Sequence, residues 1–262
     1  MPFSFDVVPP EVHLGRAPIV RTLCQVRFSP LPELVDDESE RDLARLLGDD
    51  YPVRGWAEGV SIPIPPTMDK FRAEKFRTFE DTEGLWKITI SPEFLALETQ
   101  GYGKREDFLQ RMRQALDAVT QIRRPPKVTR IGMRYTNRID NPKGISRLIN
   151  PALLGWLPEL DDEAVLLHQV AQTMLKHPND GSRILVQSLF LPPGTVFDPT
   201  IKASEGPSWV LDIDAFDEQS HRFDSQLLEV VKQLAIHSYQ IFYWSVNDDF
   251  RNEYKDATQE EE

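Results

Sequence analysis

A chain of 262 residues is long enough for one large domain or two closely packed halves, and folding at this size removes roughly 70–75% of the unfolded surface from water. A single cysteine, Cys24, excludes an internal disulfide; no Cys/His spacing has the form of a zinc motif, so no cofactor or metal is expected and the thiol usage suits the cytoplasm. The net charge of −12 disfavours general nucleic-acid binding, while the start MPFSFDVVPP lacks an export signal and no apolar run approaches the ~20 residues of a membrane span.

The first residues, through Pro18, are punctuated by proline and read as extended. VRTLCQVRFSPL follows as a strand, with Cys24, Val26 and Phe28 on one face and Arg27 on the other. Leu31 to Leu47 carries a helical pattern. Asp49 to Met68 is rich in proline and glycine and predicts a loop with only short extended pieces. Lys70 to Glu80 reads as a strand leading into a hairpin, GLWKITISPEFLALET, that turns at Ser91-Pro92.

The helix after Gly101 to Gly103 is the most strongly patterned part of the chain. Phe108, Leu109, Met112, Ala115, Leu116 and Val119 fall at helical spacing and form one apolar stripe. Pro125-Pro126 stops it, because proline has no amide hydrogen and disfavours a helical residue before it. VTRIGMRYTNRI then reads as a two-faced strand: Ile131, Met133, Tyr135 and Ile139 point one way, with Asn137 interrupting, and Arg130, Arg134 and Arg138 point the other.

Beyond it come a helix around Ile145 to Leu157 and strands at Ala164 to Leu175, Arg183 to Leu191 and Trp209 to Phe216, with a turn-rich loop between the last two. A helix from Ser225 to about Phe242 follows, capped by Asp224 with Phe223 and Leu228 as a hydrophobic staple. Asn247 or Asp248 caps a short last helix, and DATQEEE is a solvated tail. The reading is therefore α+β: an antiparallel-rich sheet in two degenerate β-α-β-β-β-α halves, about 19–124 and 127–246, forming one integrated domain with the two long helices packed on it. QVRF at Gln25 to Phe28 and GMRY at Gly132 to Tyr135 sit at matching places.

Taken together, QVRF, the hairpin, Tyr102 before a helix, RIGMRYTNRI, LDIDAF and HSYQIFYWSVNDDFRNEY resemble a sporadically distributed prokaryotic family of similar length to which no activity is attached. Ile236, His237, Phe242 and Ser245 match its closing pattern. The resemblance implies an accessory bacterial or phage gene product, and its scattered distribution points to defence or toxin–antitoxin type systems. It carries no catalytic residues over.

Charge is uneven: residues 101–150 hold twelve Lys or Arg against four Asp or Glu, and residues 205–262 hold four against fourteen. Either the two segments complement each other or the basic one receives an anion. Arg27 and Arg134, joined by Arg130 and Arg138, are the candidate anion site, on the expectation that they face each other across a cleft between the halves. Their alternative is pairing with acidic neighbours such as Asp212 and Asp214 in LDID. Read as a Mg²⁺ pair for a hydrolase or nuclease, those two aspartates lack a third ligand at any telling spacing.

Cys24 reads as core, His237 as a structural histidine near a helix C-terminus, and GYG before a helix is not a phosphate loop. Tyr239, Tyr243 and Trp244, with Phe242, lie too close together to share one core stripe; they either lie half-buried under the last helix or form a surface for a protein partner or a homodimer. The leading functional expectation is a non-enzymatic interaction protein in the cytoplasm, ahead of an anion or nucleotide sensor and a magnesium-dependent hydrolase.

Overall fold

The computed structural model describes residues 2–61, 72–160 and 166–255. Among them the chain forms β1 (Ile19–Phe28), α1 (Asp37–Leu47), β2 (Val53–Ser61), β3 (Arg72–Glu80), β4 (Trp86–Ile90), β5 (Phe94–Thr99), α2 (Arg105–Ile122), β6 (Val128–Asp140), β7 (Gln169–Lys176), β8 (Arg183–Leu191), β9 (Ser208–Asp217), α3 (Leu227–Ser245) and α4 (Asp248–Tyr254). The nine strands lie in one sheet in the order β2-β3-β4-β5-β1-β6-β9-β8-β7. Its hairpin ladders are antiparallel, so the α+β class with an antiparallel sheet stands. No helix among the described residues is long and apolar enough to cross a membrane.

Backbone contacts divide the chain into two units, one of residues 23–133 and 217–233, the other of residues 1–22, 134–216 and 234–262. In the first, five of the six residues of the expected α2 stripe, Phe108, Met112, Ala115, Leu116 and Val119, are in the core with Leu34, Leu43 and Leu47 of the α1 region, while Leu109 is half-buried at its margin. Asp36 caps α1 by accepting from the Ser39 amide at 2.7 Å. Arg77 on β3 is buried and paired with Asp37 and Glu40, and its guanidinium lies 3.3 Å from the Trp56 ring centre.

Residues 53–61 correct the sequence reading. The expected loop is a nine-residue edge strand, β2, paired with β3 from Val53↔Glu80 to Ser61↔Arg72. Its glycines suggested a turn, but Gly55 serves close approach, since a Cβ there would meet Thr78 Oγ1 at 2.9 Å. The rest of that expected loop, 62–68, and Lys70, expected to start the next strand, lie outside the described residues.

In the other unit, β9 is the deepest strand: all but one of its ten residues are buried. The expected helix at 145–157 is instead a series of single 3-10 turns, Ile145–Arg147, Pro151–Leu153 and Leu157–Glu159. Proline at the start of the second, Gly155 at φ 55° and external pairing explain this. The Asn150 amide bonds the Ser245 carbonyl and the Asn247 amide bonds the Leu148 carbonyl, so the backbone groups a helix would use are taken by the end of α3. The strand expected from Ala164 begins at Gln169; residues 164 and 165, like the tail DATQEEE, lie outside the described residues.

The N-terminal arm runs along α3. Gln240 donates to the Phe5 and Val7 carbonyls at 2.8 and 2.9 Å, and the Tyr239 hydroxyl donates to the Pro10 carbonyl and accepts from the Val12 amide. Asn247 caps α4 through the Phe250 amide, as expected.

Candidate functional site

The arginines of the candidate anion site divide between the units. Arg27 and Arg130 belong to the first. Arg27 is half-buried and has no carboxylate partner among the described residues. Arg130 lies over Gly132, where a Cβ would meet its Nη1 at 2.6 Å, and it also acts on Cys24. Burial pushes the Cys24 thiol up to about 12 against the pull of Arg130, which leaves a core thiol with no thiolate character near neutrality.

Arg134 and Arg138 belong to the second unit. Arg134 Nε donates to both oxygens of Asp212 at 2.8 and 3.0 Å, and its Nη1 is 3.5 Å from Asp198, which also pairs with Arg21 at 2.9 Å. Asp212 is 1% exposed and accepts from the Thr136 hydroxyl at 2.7 Å as well. Burial alone would lower the Arg134 pKa, but Asp212, followed by Asp198 and Asp214, outweighs it and the net shift is upward. Burial would raise the Asp198 pKa, and Thr200, Arg21 and Arg134 overturn this to hold it below its ordinary 3.8. Arg138 pairs with Asp140 and donates to the Lys202 carbonyl. Arg134 and Arg138 thus pair with acidic neighbours, and Asp212 is committed to Arg134 and the Thr136 hydroxyl.

The aromatic group is half-buried rather than presented. Tyr239 is hydrogen-bonded to the N-terminal arm, the Trp244 ring centre lies 5.7 Å from that of Phe3, and Arg251 of α4 covers Tyr243 at 4.3 Å. The exposed apolar side chains of this unit lie elsewhere. On and beside the edge strand β7, Leu167 is 72% exposed, Val170 51% and Met174 52%.

A third cluster escaped the sequence reading. The turn after β7, residues 177–182, closes through the His177 amide on the Ser182 carbonyl and a Gly181 at φ 76°. It sets His177 and Asp180 against His237 of α3. One imidazole nitrogen from each histidine and one Asp180 oxygen lie within 4.8 Å of one another. The rings are stacked, 4.1 Å apart at 14°, with the Phe5 edge against both. His177 is 8% and His237 4% exposed, while the Asp180 side chain is 43% exposed. Burial lowers the His237 pKa below 6.5, with Asp180 opposing and His177 assisting. Burial would raise the Asp180 pKa, but the Ser182 hydroxyl and amide, then the two histidines, bring it below 3.8. His177 and Asp180 are three apart in a turn, a weak local signal, but His237 lies 55 residues beyond Ser182, and no spacing rule joins them.

Neither a protein-family model nor a curated protein matches the chain.

Proposed function

We propose that this is a non-catalytic interaction protein of the cytoplasm that works by lending the open edge of β7 to a second copy of the chain. The observation that carries this reading is the edge itself. β7 ends the sheet order, five of its eight residues are exposed, and QVAQTMLK contains no proline and a single charged residue, Lys176 at its end. Edge strands of soluble proteins are normally blunted by such residues because free amide and carbonyl groups recruit another strand. Two-fold antiparallel pairing of β7 with its own copy matches residues of one face; centred on Gln172 it sets Val170 opposite Met174 and brings no two lysines together, in a chain of net charge −12. Val170 and Met174 are then covered from one side.

The same proposal includes two degenerate halves, β1-α1-β2-β3-β4-β5-α2 and β6-β7-β8-β9-α3 with 3-10 turns in place of the first helix. Exchanging β1 with β6, β5 with β9, β4 with β8 and β3 with β7 maps the strand order onto itself and leaves only β2 over, which supports a duplication. The resemblance to a sporadically distributed prokaryotic family supports a defence or toxin–antitoxin type setting. The anion reading is the weaker one, since Arg134 already faces carboxylates.

The test is the mass in solution of the wild type against Val170→Lys combined with Met174→Lys, two exposed positions whose change leaves the fold intact. Dimer for the wild type and monomer for the variant is the expected result. A wild-type monomer, or a dimer unaffected by the two lysines, overturns the β7 edge as the contact.

A further inference from the structure

We infer that Trp156 is the anchor of the contact between two copies of the chain, an inference that rests on the β7 edge proposed above and gives that edge a second apolar face. Val170 and Met174 lie on one face of a single eight-residue strand. A stable dimer buries about 800 Å² on each partner, more than two such side chains and a strand edge provide. A tryptophan buries about 150–250 Å² by itself, and Trp156 is 74% exposed.

The turn that carries Trp156 is fastened to the edge strand. Gln169 opens β7, and its side chain alternates to the face opposite Val170 and Met174. There its Nε2 donates to the Leu154 carbonyl and its Oε1 accepts from the Trp156 amide, both at 3.1 Å. Between those two residues Gly155 has φ 55°, and a Cβ on it would meet Gln169 Oε1 at 2.6 Å, so only glycine lets the amide of Gln169 lie flat on the turn. One residue earlier the Leu153 carbonyl accepts from the Ser188 hydroxyl of β8 at 2.6 Å, and that hydroxyl accepts from Trp209 Nε1 at 3.0 Å. The backbone of Trp156 is therefore ordered before any partner arrives, which lowers the entropy that binding must oppose.

The two-fold pairing selects a second copy as the occupant. Centred on Gln172, it sets Gln169 opposite Leu175 of the copy, each three residues from the centre and both on the face that carries the turn. Leu175 is half-buried. Paired strands lie about 4.8 Å apart, within reach of an indole carried on Gln169, and the symmetry makes the same contact twice. The seam between the strands is then flanked by Val170 and Met174 on one face and by Trp156 and Leu175 on the other, so water is kept from both sides of it, the setting in which tryptophan carries a large share of binding.

The experiment is analytical ultracentrifugation of the wild type, Trp156→Ala, Gln169→Ala and the Val170→Lys, Met174→Lys double variant over a range of concentrations. Trp156→Ala should raise the dimer Kd about 30-fold or more, and Gln169→Ala, which frees the turn but keeps the indole, about 3–10-fold. Trp156 is mostly in solvent, so the urea midpoint of the dilute, monomeric Trp156→Ala protein should equal that of the wild type. A dimer that the two lysines break and Trp156→Ala leaves unchanged overturns Trp156 as the anchor while the β7 edge stands, and so does a lowered urea midpoint that accounts for the loss of dimer. A wild type that stays monomeric overturns both.

Discussion

The unit of residues 1–22, 134–216 and 234–262 holds two polar clusters that solve the burial of charge in opposite ways. Around Arg134, donors meet acceptors: two guanidinium groups, Arg21 and Arg134, a Thr136 hydroxyl and two carboxylates, Asp198 and Asp212, close on one another. Around Asp180, two imidazole nitrogens stand 3.2 and 3.4 Å from the carboxylate while the Ser182 hydroxyl and amide donate to it. The first cluster sets permanent charges against each other; the second sets one carboxylate against rings that carry charge only when protonated.

Three experiments press on that contrast. The largest effect belongs to Asp212→Ala, which strands a largely buried guanidinium; unfolding in urea should show a loss of about 3 kcal/mol, at the low end for a broken buried pair because Arg134 retains some exposure. A loss below about 1 kcal/mol would mean that the Arg134 cluster is a surface ion pair.

Next is the response to acid. The folded pKa of His237 is depressed below 6.5, so its contribution to stability is present above that value and is lost as pH falls from 6.5 through the folded midpoint. Asp198, depressed below 3.8, loses its contribution only below that value. Ring titration by NMR should give a His237 midpoint under 6.5; one at or above it would indicate a protonated imidazole bridging to Asp180. The smallest effect is that of Asp180→Asn. Its amide can donate to His237 Nε2 while its oxygen still accepts from Ser182, so stability should stay within about 0.5 kcal/mol of the wild type. A large loss would show that Asp180 is held as a structural salt bridge.

The same contrast explains what the sequence disclosed. Arg134 and Asp212 sit on strands whose alternation is plain in RIGMRYTNRI and LDID, and α2 and its proline stop were equally legible, because each is decided within a few residues. β2 was not, since its pairing with β3 overrides its glycines. Nor was the 145–157 stretch, whose amides are claimed by the end of α3. The histidine cluster needs a turn, a helix and an arm from distant parts of the chain, and the sequence shows His237 only as a residue near a helix end.

The arm that Tyr239 and Gln240 hold against α3 has a consequence for biosynthesis. Phe5 is synthesised before α3, and its seat against His177 and His237 exists only after α3 has been made. A nascent chain therefore carries this arm unseated until α3 has emerged, and only then is the pair of imidazoles lidded.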